Sequence, residues 1–292
     1  IALRNELNDD LPLTIRANYG TVLVASLFGA RVEQVEDNPP WVRSFKSLDE
    51  FHASLESNPD DIYQGWIPKV FDLYTFYHQV LNDYPNLKEC LNITLPDLQG
   101  PIDTLELLRG SDIFSDFLID PEIVTESLPK ITRAQINIAN GLKKLVVEKE
   151  EGYNHQHGFT IKGNLLIRND SSMMLSPDLY QEYVAPFDQE LMQSLGGGAI
   201  HSCGKIDHII SSFLDLPSIE SFDFGQSHLN DMDNIYPLAR ERKIPLIRVQ
   251  PTAEELETGS ICKKFPTGVS LFYEAKSFEE ARFLVQEYKK KK

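Results

Sequence analysis

Short apolar runs alternate with amphipathic helical patterns through the second half of the chain. The four runs occupy residues 199–203, 219–224, 244–249 and 269–273, and helical patterns follow at 205–216, 232–242, 252–258 and 277–290. Strands that alternate with helices at this spacing predict parallel βαβ units. A long series of such units is typical of the α/β class and, within it, of a (β/α)8 TIM barrel.

The first half adds three strand candidates that are separated by longer helical patterns. The β-compatible runs lie at residues 13–19, 91–96 and 159–167, whereas residues 47–84 and 121–150 have helical spacing. A closed barrel of this type needs eight strands, and the pattern predicts seven. We therefore expect one barrel domain over residues 1–292, with its first strand in sequence before Ile1. A doubly wound open sheet is the alternative, since the pattern does not give the strand order.

Composition and charge narrow the classes of partner and location. Of the 292 residues 41% are hydrophobic and 25% are charged, and no apolar run reaches the roughly 20 residues that span a bilayer. The 28 basic and 44 acidic residues give a net charge of -16, which repels nucleic acids and anionic membranes. Three scattered cysteines do not form a disulfide framework, which favours a reducing cytoplasm.

A glycine-rich lead-in to one apolar strand carries the strongest candidate for a metal site. In residues 196–204, His201 and Cys203 lie two apart, so that on a strand their side chains share a face at its carboxyl end. Imidazole nitrogen and thiolate sulfur are zinc ligands, and a catalytic zinc takes three protein ligands. Glu274, at the end of the last strand, is the predicted third ligand. The alternative is that both residues belong to the core.

Further polar residues follow the predicted strands, where a barrel has its active site. We predict substrate-binding roles for Asn18, Tyr19, Arg168 and Arg248 on this ground. His155 and His157 share a face if residues 152–158 are extended, and they are predicted to contact substrate or to form a lid. The alternative for these positions is an ordinary solvated loop or turn.

Several common catalytic motifs are missing from the sequence. It contains no Gly-x-Gly-x-x-Gly after a strand, no Walker loop and no Gly-x-Ser-x-Gly elbow. The sequence therefore offers no support for a nucleotide cofactor or for serine hydrolysis.

Three longer stretches resemble a known family. Residues 175–186, 196–205 and 248–259, together with the weaker matches Phe28–Gly29 and Gly100–Pro101, are similar to the uroporphyrinogen decarboxylase superfamily. That superfamily includes zinc-dependent, corrinoid-linked methyltransferases. The resemblance implies a (β/α)8 barrel and agrees with a first strand that precedes Ile1.

The resemblance is greater to the methyltransferase branch than to true decarboxylases. The decarboxylases share an arginine-rich first loop, an aspartate and a tyrosine; the loop is absent here, and Gly20 and Leu107 occupy the other two positions. The methyltransferase branch has His-x-Cys plus a distant cysteine. His201 and Cys203 match this pattern, but Glu274 lies in the region of the distant cysteine.

The resemblance implies a zinc enzyme that moves a methyl group between a corrinoid protein and a small methyl donor or thiol acceptor. Asp170, Asp223 and Gln226 would orient the substrate or the His201 ring. Dimerisation is also expected from the resemblance. The alternatives are a decarboxylase of the superfamily that acts on a different substrate and a binding barrel without catalytic activity.

Overall fold

The structure is a computed structural model that describes residues 6–291. Its strands, numbered β1 to β11 in chain order, are Thr14–Ile15, Arg31–Glu33, Trp41–Arg43, Asn92–Ile93, Tyr153–Gln156, Phe159–Lys162, Leu166–Arg168, Gly198–Ser202, Ile219–Phe224, Leu246–Val249 and Val269–Leu271. Its α-helices are Leu23–Leu27, Leu48–Ser54, Ile67–Asn82, Pro85–Cys90, Pro101–Arg109, Ile113–Ile119, Pro121–Leu142, Pro177–Leu179, Ala185–Ser194, Ile210–Leu214, Met232–Glu241, Ala253–Thr258, Ile261–Lys264 and Phe278–Lys291. The protein therefore has the predicted α/β class.

The second half forms a five-stranded parallel sheet in the order β11-β10-β9-β8-β7. Helices connect the successive strands, as the alternating pattern predicts. The register sets Arg168 of β7 beside His201 of β8, and His201 beside Asp223 of β9. Since parallel strands end at one edge of the sheet, the side chains that follow β7, β8 and β9 lie close together.

The chain before β7 contributes smaller sheets. Strands β1 and β4 form a parallel pair, and β2–β3 and β5–β6 are antiparallel hairpins. The predicted strands at 13–19 and 91–96 are each only two residues long in the structure. The rest of each run is not paired with a neighbouring strand of the described chain. Ile93 also bridges to Val147 in antiparallel direction.

The predicted strand at 159–167 is two strands separated by Gly163. This residue has φ +112°, and a Cβ here would lie 2.9 Å from the backbone of Gly198. The turn divides the run into β6, which pairs with β5, and β7, which pairs with β8. Local hydrophobicity does not reveal this break because both pieces are buried on at least one face.

The long helix Pro121–Leu142 packs with one apolar face on the helices Pro101–Arg109, Ile113–Ile119 and Ala185–Ser194. Ile123, Leu128, Ile131 and Ile138 on that face are buried, and burial of such a side chain contributes about 1.5–3 kcal/mol. Ser176 caps the short helix Pro177–Leu179, since its Oγ accepts a hydrogen bond from the Leu179 amide at 3.2 Å. No helix within residues 6–291 is long and apolar enough to cross a bilayer.

Candidate metal centre

Strand β8 brings His201 to the carboxyl edge of the parallel sheet, and Cys203 follows directly after the strand. The His201 side chain is almost fully buried and Cys203 is half-buried. Cys203 Sγ lies 3.4 Å from His201 Nε2. Gly204, with φ +79°, then turns the chain away from the sheet. The two side chains therefore face the same point, as their two-residue spacing predicts.

Asp170 adds a carboxylate to this pair from the neighbouring strand end. Its Oδ1 lies 3.8 Å from His201 Nε2 and accepts a hydrogen bond from the Cys203 amide at 2.6 Å. One ligand atom from each of the three residues lies within 4.8 Å of the other two. No second group of three such ligands is this compact in the described chain. The Asp170 side chain is 43% exposed, which leaves one side of the group open to solvent.

Glu274, the predicted third ligand, is not part of this group. Strand β11 ends at Leu271, and two strands, β9 and β10, separate it from β8. The Glu274 side chain is exposed. The carboxylate that accompanies His201 and Cys203 therefore comes from Asp170, which we predicted as an orienting residue.

The donor set of Asp170, His201 and Cys203 fits a zinc ion. Zinc binds carboxylate oxygen, imidazole nitrogen and thiolate sulfur with tetrahedral geometry. Ligand atoms around such an ion, bonded at about 2.0–2.3 Å, lie about 3.4–3.6 Å apart. The separations of 3.4 Å and 3.8 Å from His201 Nε2 are close to this range.

Asp223, predicted to orient the His201 ring, lies behind it in a fully buried position. Its Oδ2 is 2.9 Å from His201 Nδ1, and the two nitrogens Nε and Nη2 of Arg248 donate to its two oxygens at 2.5 Å and 2.7 Å. Burial acts to raise the pKa of Asp223, but hydrogen bonds from His157 and His201 and the Arg248 charge outweigh it and hold this pKa well below its ordinary value. Asp223 is therefore an anion held by the Arg248 charge and by the two histidine rings.

Arg248, predicted to bind substrate, is turned onto Asp223 by an irregular strand. Its φ is +59°, and the register of β10 against β11 shifts between Leu246 and Val249. Arg248 Nη2 also lies 2.7 Å from His201 Nδ1. When Nδ1 carries its proton and donates to Asp223, the Nε2 lone pair faces Cys203 and Asp170, as a metal ligand requires.

The negative charge of Asp170 affects the groups around it. Burial and the neighbouring Asp170 carboxylate raise the pKa of the Cys203 thiol to about 12. Burial and the same carboxylate raise the pKa of Asp103 to about 8. A bound cation favours deprotonation of its thiol ligand, so metal binding would oppose the effect of Asp170 on Cys203.

Asp103 was missed by the sequence reasoning although it fixes the loop that carries Asp170. Its carboxylate accepts hydrogen bonds from the amides of Asp170 and Ser171 at 3.1 Å and 2.8 Å. A Cβ at Gly100 would overlap the carbonyl oxygen of Arg168, so the Gly100–Pro101 turn packs directly on the end of β7. The Gly-Pro motif in the sequence was the available signal for this contact.

Gln226, a predicted catalytic residue, holds the turn after Cys203. Its Oε1 accepts a hydrogen bond from the Gly204 amide at 2.6 Å. The Asn230 side chain donates to the carbonyl oxygens of Gly204 and Gln226. The loop after β9 therefore supports the loop after β8.

The structure separates the two predicted histidines of residues 152–158. His155 is buried, with its Nδ1 2.6 Å from Glu148 Oε2. His157, at the turn of the β5–β6 hairpin, has φ +53° and therefore leaves the extended conformation that would place both rings on one face. Its Nε2 is 2.6 Å from Arg168 Nη2, and its Nδ1 is 3.8 Å from Asp223. His157 thus lies at the site and His155 lies behind it.

The remaining predicted substrate contacts lie on the β1 and β7 side of the site. Arg168 forms an ion pair with Asp97 at 2.8 Å. Asn18 is exposed and accepts a long hydrogen bond of 3.5 Å from Arg16. Tyr19 packs edge-on against Trp66. Arg16 and Asp97 were not predicted as site residues.

Comparison with known proteins gives a likeness of fold. The structure is similar to that of a methyltransferase from Methanosarcina mazei, with a TM-score of 0.69 and 14% sequence identity over 99% of this chain and 83% of that chain. No family model and no curated protein matches the sequence. At this identity the likeness shows that the chain shares the overall fold of that methyltransferase.

Proposed function

We propose that this protein is a zinc-dependent methyltransferase that moves a methyl group between a small substrate or thiol and a corrinoid carried by a partner protein. The observation that carries the proposal is the compact group of Asp170, His201 and Cys203 at the carboxyl edge of the parallel sheet. A sheet edge of this kind is where α/β enzymes place their active sites. The corrinoid and the methyl chemistry come from the family resemblance, and the shared fold with a methyltransferase agrees with them.

We propose that the strands are arranged as a (β/α)8 barrel in a single domain. The five parallel strands follow one another in chain order without the reversal of a doubly wound sheet. The end of β4 also meets the end of β7, because Asp97 pairs with Arg168 and Asp103 binds the Asp170 amide. These contacts support a continuous ring of strand ends around the site.

Asp170, His201 and Cys203 would hold the zinc ion. When bound there, zinc supplies Lewis acidity and keeps a thiol ligand as the thiolate at neutral pH. The exposed side of Asp170 leaves room for an exchangeable ligand, and a thiol acceptor would approach from that side. The same open face would receive the corrinoid protein.

The surrounding residues keep the ligands in place. When Nδ1 is protonated, His201 donates a hydrogen bond to Asp223, and this tautomer leaves Nε2 free to bind metal. Arg248 fixes Asp223 through two hydrogen bonds. Asp103 holds the Asp170 loop, and Gln226 holds the Gly204 turn. Each ligand therefore has at least one supporting contact in the structure.

The cellular setting and the assembly are part of the same proposal. All three cysteines, Cys90, Cys203 and Cys262, are free, which supports a reducing compartment such as the cytoplasm. A homodimer is the assembly that the resemblance implies. The corrinoid protein would be a second, separate partner.

The proposal is tested by metal analysis followed by an activity assay. Protein purified without chelator is expected to contain about one zinc per chain, and His201→Ala with Cys203→Ala is expected to lose it, since a catalytic zinc needs three protein ligands. The zinc-loaded protein should demethylate methylcobalamin in the presence of a thiol. Cys262→Ala is the matched control, because it removes a cysteine that lies outside the group. Equal zinc content in the double variant and the control would overturn the proposal.

A decarboxylase that acts on another substrate is the second candidate. Arg16, Arg168 and Arg248 approach the site from three strands, and arginine forks suit carboxylate substrates. This candidate would be favoured by a protein that contains no zinc and releases carbon dioxide from a small carboxylic acid. Zinc content thus separates the two functions.

A further inference from the structure

Arg16 is a half-buried cation without a carboxylate partner. It follows β1, and its guanidinium donates hydrogen bonds to Gln156 Oε1 at 3.0 Å and to Asn18 Oδ1 at 3.5 Å. Both acceptors are neutral amides. In the part of the chain from residue 6 to 291, no carboxylate oxygen lies within 4.0 Å of this guanidinium. Three of its five N–H donors are left without a protein acceptor.

The two other arginines of the site are paired. Arg168 binds Asp97 at 2.8 Å, and Arg248 binds Asp223 through two hydrogen bonds. Asp97 is fully engaged, because its second oxygen accepts the backbone amide and the side-chain amide of Gln99 at 3.1 Å and 2.8 Å. Asp97 is therefore bonded to Arg168 and Gln99, and it does not form an ion pair with Arg16.

Arg16 is connected to the metal group through the β5–β6 hairpin. Its partner Gln156 precedes His157 in the chain, and His157 Nε2 lies 2.6 Å from Arg168 while its Nδ1 lies 3.8 Å from Asp223. Asp223 in turn holds the His201 ring. Arg16 thus lies at the margin of the same site, beside the β5–β6 hairpin.

An unpaired cation in this position has an energetic cost. Partial removal of a charge from water is unfavourable unless an opposite charge replaces the lost hydration. Burial accordingly lowers the pKa of Arg16, and the charge of Asp97 only partly opposes this effect. In a protein with a net charge of -16, a cation without a carboxylate partner at the site is an exception to the general acidity of the chain.

Among the three arginines of the site, Arg16 is the one without a carboxylate partner in the described chain. The pairs Arg168–Asp97 and Arg248–Asp223 each join one positive and one negative group. A bound anion would supply the opposite charge that Arg16 lacks.

We propose that Arg16 binds a carboxylate of the small molecule on which the site acts. This inference rests on the proposed function and specifies its substrate class. The planar fork of a guanidinium matches the two oxygens of a carboxylate. The exposed Asn18 amide lies beside the fork and can donate a further hydrogen bond. The reactive atom of the same molecule would then lie towards His201 and Cys203.

The test compares charged and neutral probes of equal length by ligand-observed NMR titration. Zinc-loaded protein is expected to bind 3-mercaptopropionate at least about tenfold more tightly than 3-mercapto-1-propanol, since a hydrogen-bonded charge pair has this strength. Arg16→Gln should abolish the preference and leave the affinity for the alcohol unchanged. Arg16→Lys should retain part of it, because the charge remains while the fork is lost. Arg240→Gln, at an exposed arginine, is the matched control and should retain all of it.

Three results would overturn the inference. Equal affinity of wild-type protein for acid and alcohol would show that no anion is recognised. An equal loss of affinity for both probes in Arg16→Gln would show that Arg16 has a structural role only. Arg16-dependent binding of inorganic phosphate without a preference for the carboxylate probe would assign the subsite to a different anion.

A second titration separates this inference from the proposed function. Propionate and propionamide contain no thiol, and their binding to metal-free protein tests Arg16 without zinc. A preference for propionate that Arg16→Gln removes would support the carboxylate subsite even in a protein that binds no zinc. Equal binding of both probes in a protein that does bind zinc would reject the subsite and leave the zinc function standing.

Discussion

Asp223 and Asp188 are two fully buried carboxyl groups with opposite surroundings. Asp223 faces Arg248, His201 and His157, and these groups hold its pKa well below the ordinary value in spite of burial. Asp188 contacts only the neutral donors Tyr180 and Asn169, and burial raises its pKa to about 7. Burial is the same in both cases. The Arg248 charge and the histidine hydrogen bonds therefore decide whether the acid is charged.

The contrast separates two roles for an acid inside one fold. The charged Asp223 contacts a histidine ring and an arginine guanidinium at the sheet edge. Asp188 lies behind Asn169, with one oxygen that has no hydrogen-bond partner. Asp170 has a third kind of surroundings. Its carboxylate lies next to the half-buried Cys203 thiol and is partly exposed to solvent. In the proposed function, zinc is the cation that Asp170 lacks.

The largest expected effect concerns this third carboxylate. Asp170→Ala should lower zinc affinity by more than the roughly 10–100-fold that outer partners of metal ligands contribute, because it removes a ligand. Glu274→Ala should leave the affinity unchanged, since Glu274 lies outside the group. Competition with a chromogenic chelator measures both. If Glu274→Ala lowered zinc affinity and Asp170→Ala did not, Glu274 would be the third ligand.

Removal of the charged, paired acid should have the next largest effect. Asp223→Ala leaves Arg248 and His201 without their acceptor, and loss of one partner of a buried pair costs about 3–5 kcal/mol of unfolding free energy. Zinc affinity should fall by about 10–100-fold. Urea unfolding and zinc competition are the measurements. Asp215→Ala breaks the more exposed pair with Arg242 and should cost at most about 1 kcal/mol, as the control.

The smallest expected effect is a pH dependence from the unpaired acid. The pKa of Asp188 is raised in the folded protein from 3.8 to about 7, so its contribution to stability is present below about pH 4 and is lost as the pH rises to 7. The free energy of unfolding of Asp188→Asn, relative to that of wild type, should therefore rise with pH by at most about 1.4 kcal/mol per pH unit. Urea unfolding at pH 4.5, 6 and 7.5 measures it.

A control for the pH effect lies on the same helix. Glu190 is exposed, and Glu190→Gln should differ from wild type by an amount that does not change with pH. If Asp188→Asn also shows a constant difference between pH 4.5 and 7.5, Asp188 is charged in the folded protein and the contrast with Asp223 fails.

The hydrophobic pattern of the sequence predicted the strands and helices that depend on local sequence. The strand–helix alternation of residues 199–290 was confirmed as consecutive strands of one parallel sheet, and the two-residue spacing placed His201 and Cys203 on one side. The role of Asp170 depends instead on the pairing of β7 with β8, which sets Arg168 beside His201. A single strand contains no information about its neighbour's register.

The less successful predictions concern contacts between distant segments. Glu274 follows a strand as predicted, but the sheet order puts two strands between it and His201. His155 and His157 have the spacing of one face, but the hairpin turn at His157 separates them. Asp188 has the sequence context of an ordinary helix residue, and only its packing against Tyr180 and Asn169 buries it. Such contacts are tertiary and leave no local pattern.

The irregular backbone of Arg248 makes this residue a natural reporter of site assembly. A non-glycine residue at φ +59° is about 1–3 kcal/mol less stable than in a regular strand, so the surrounding contacts must hold it. The contacts that do so are the two hydrogen bonds to Asp223. The backbone amide signal of Arg248 would therefore register the state of Asp223 and His201 in a spectrum of the intact protein, with no substrate added.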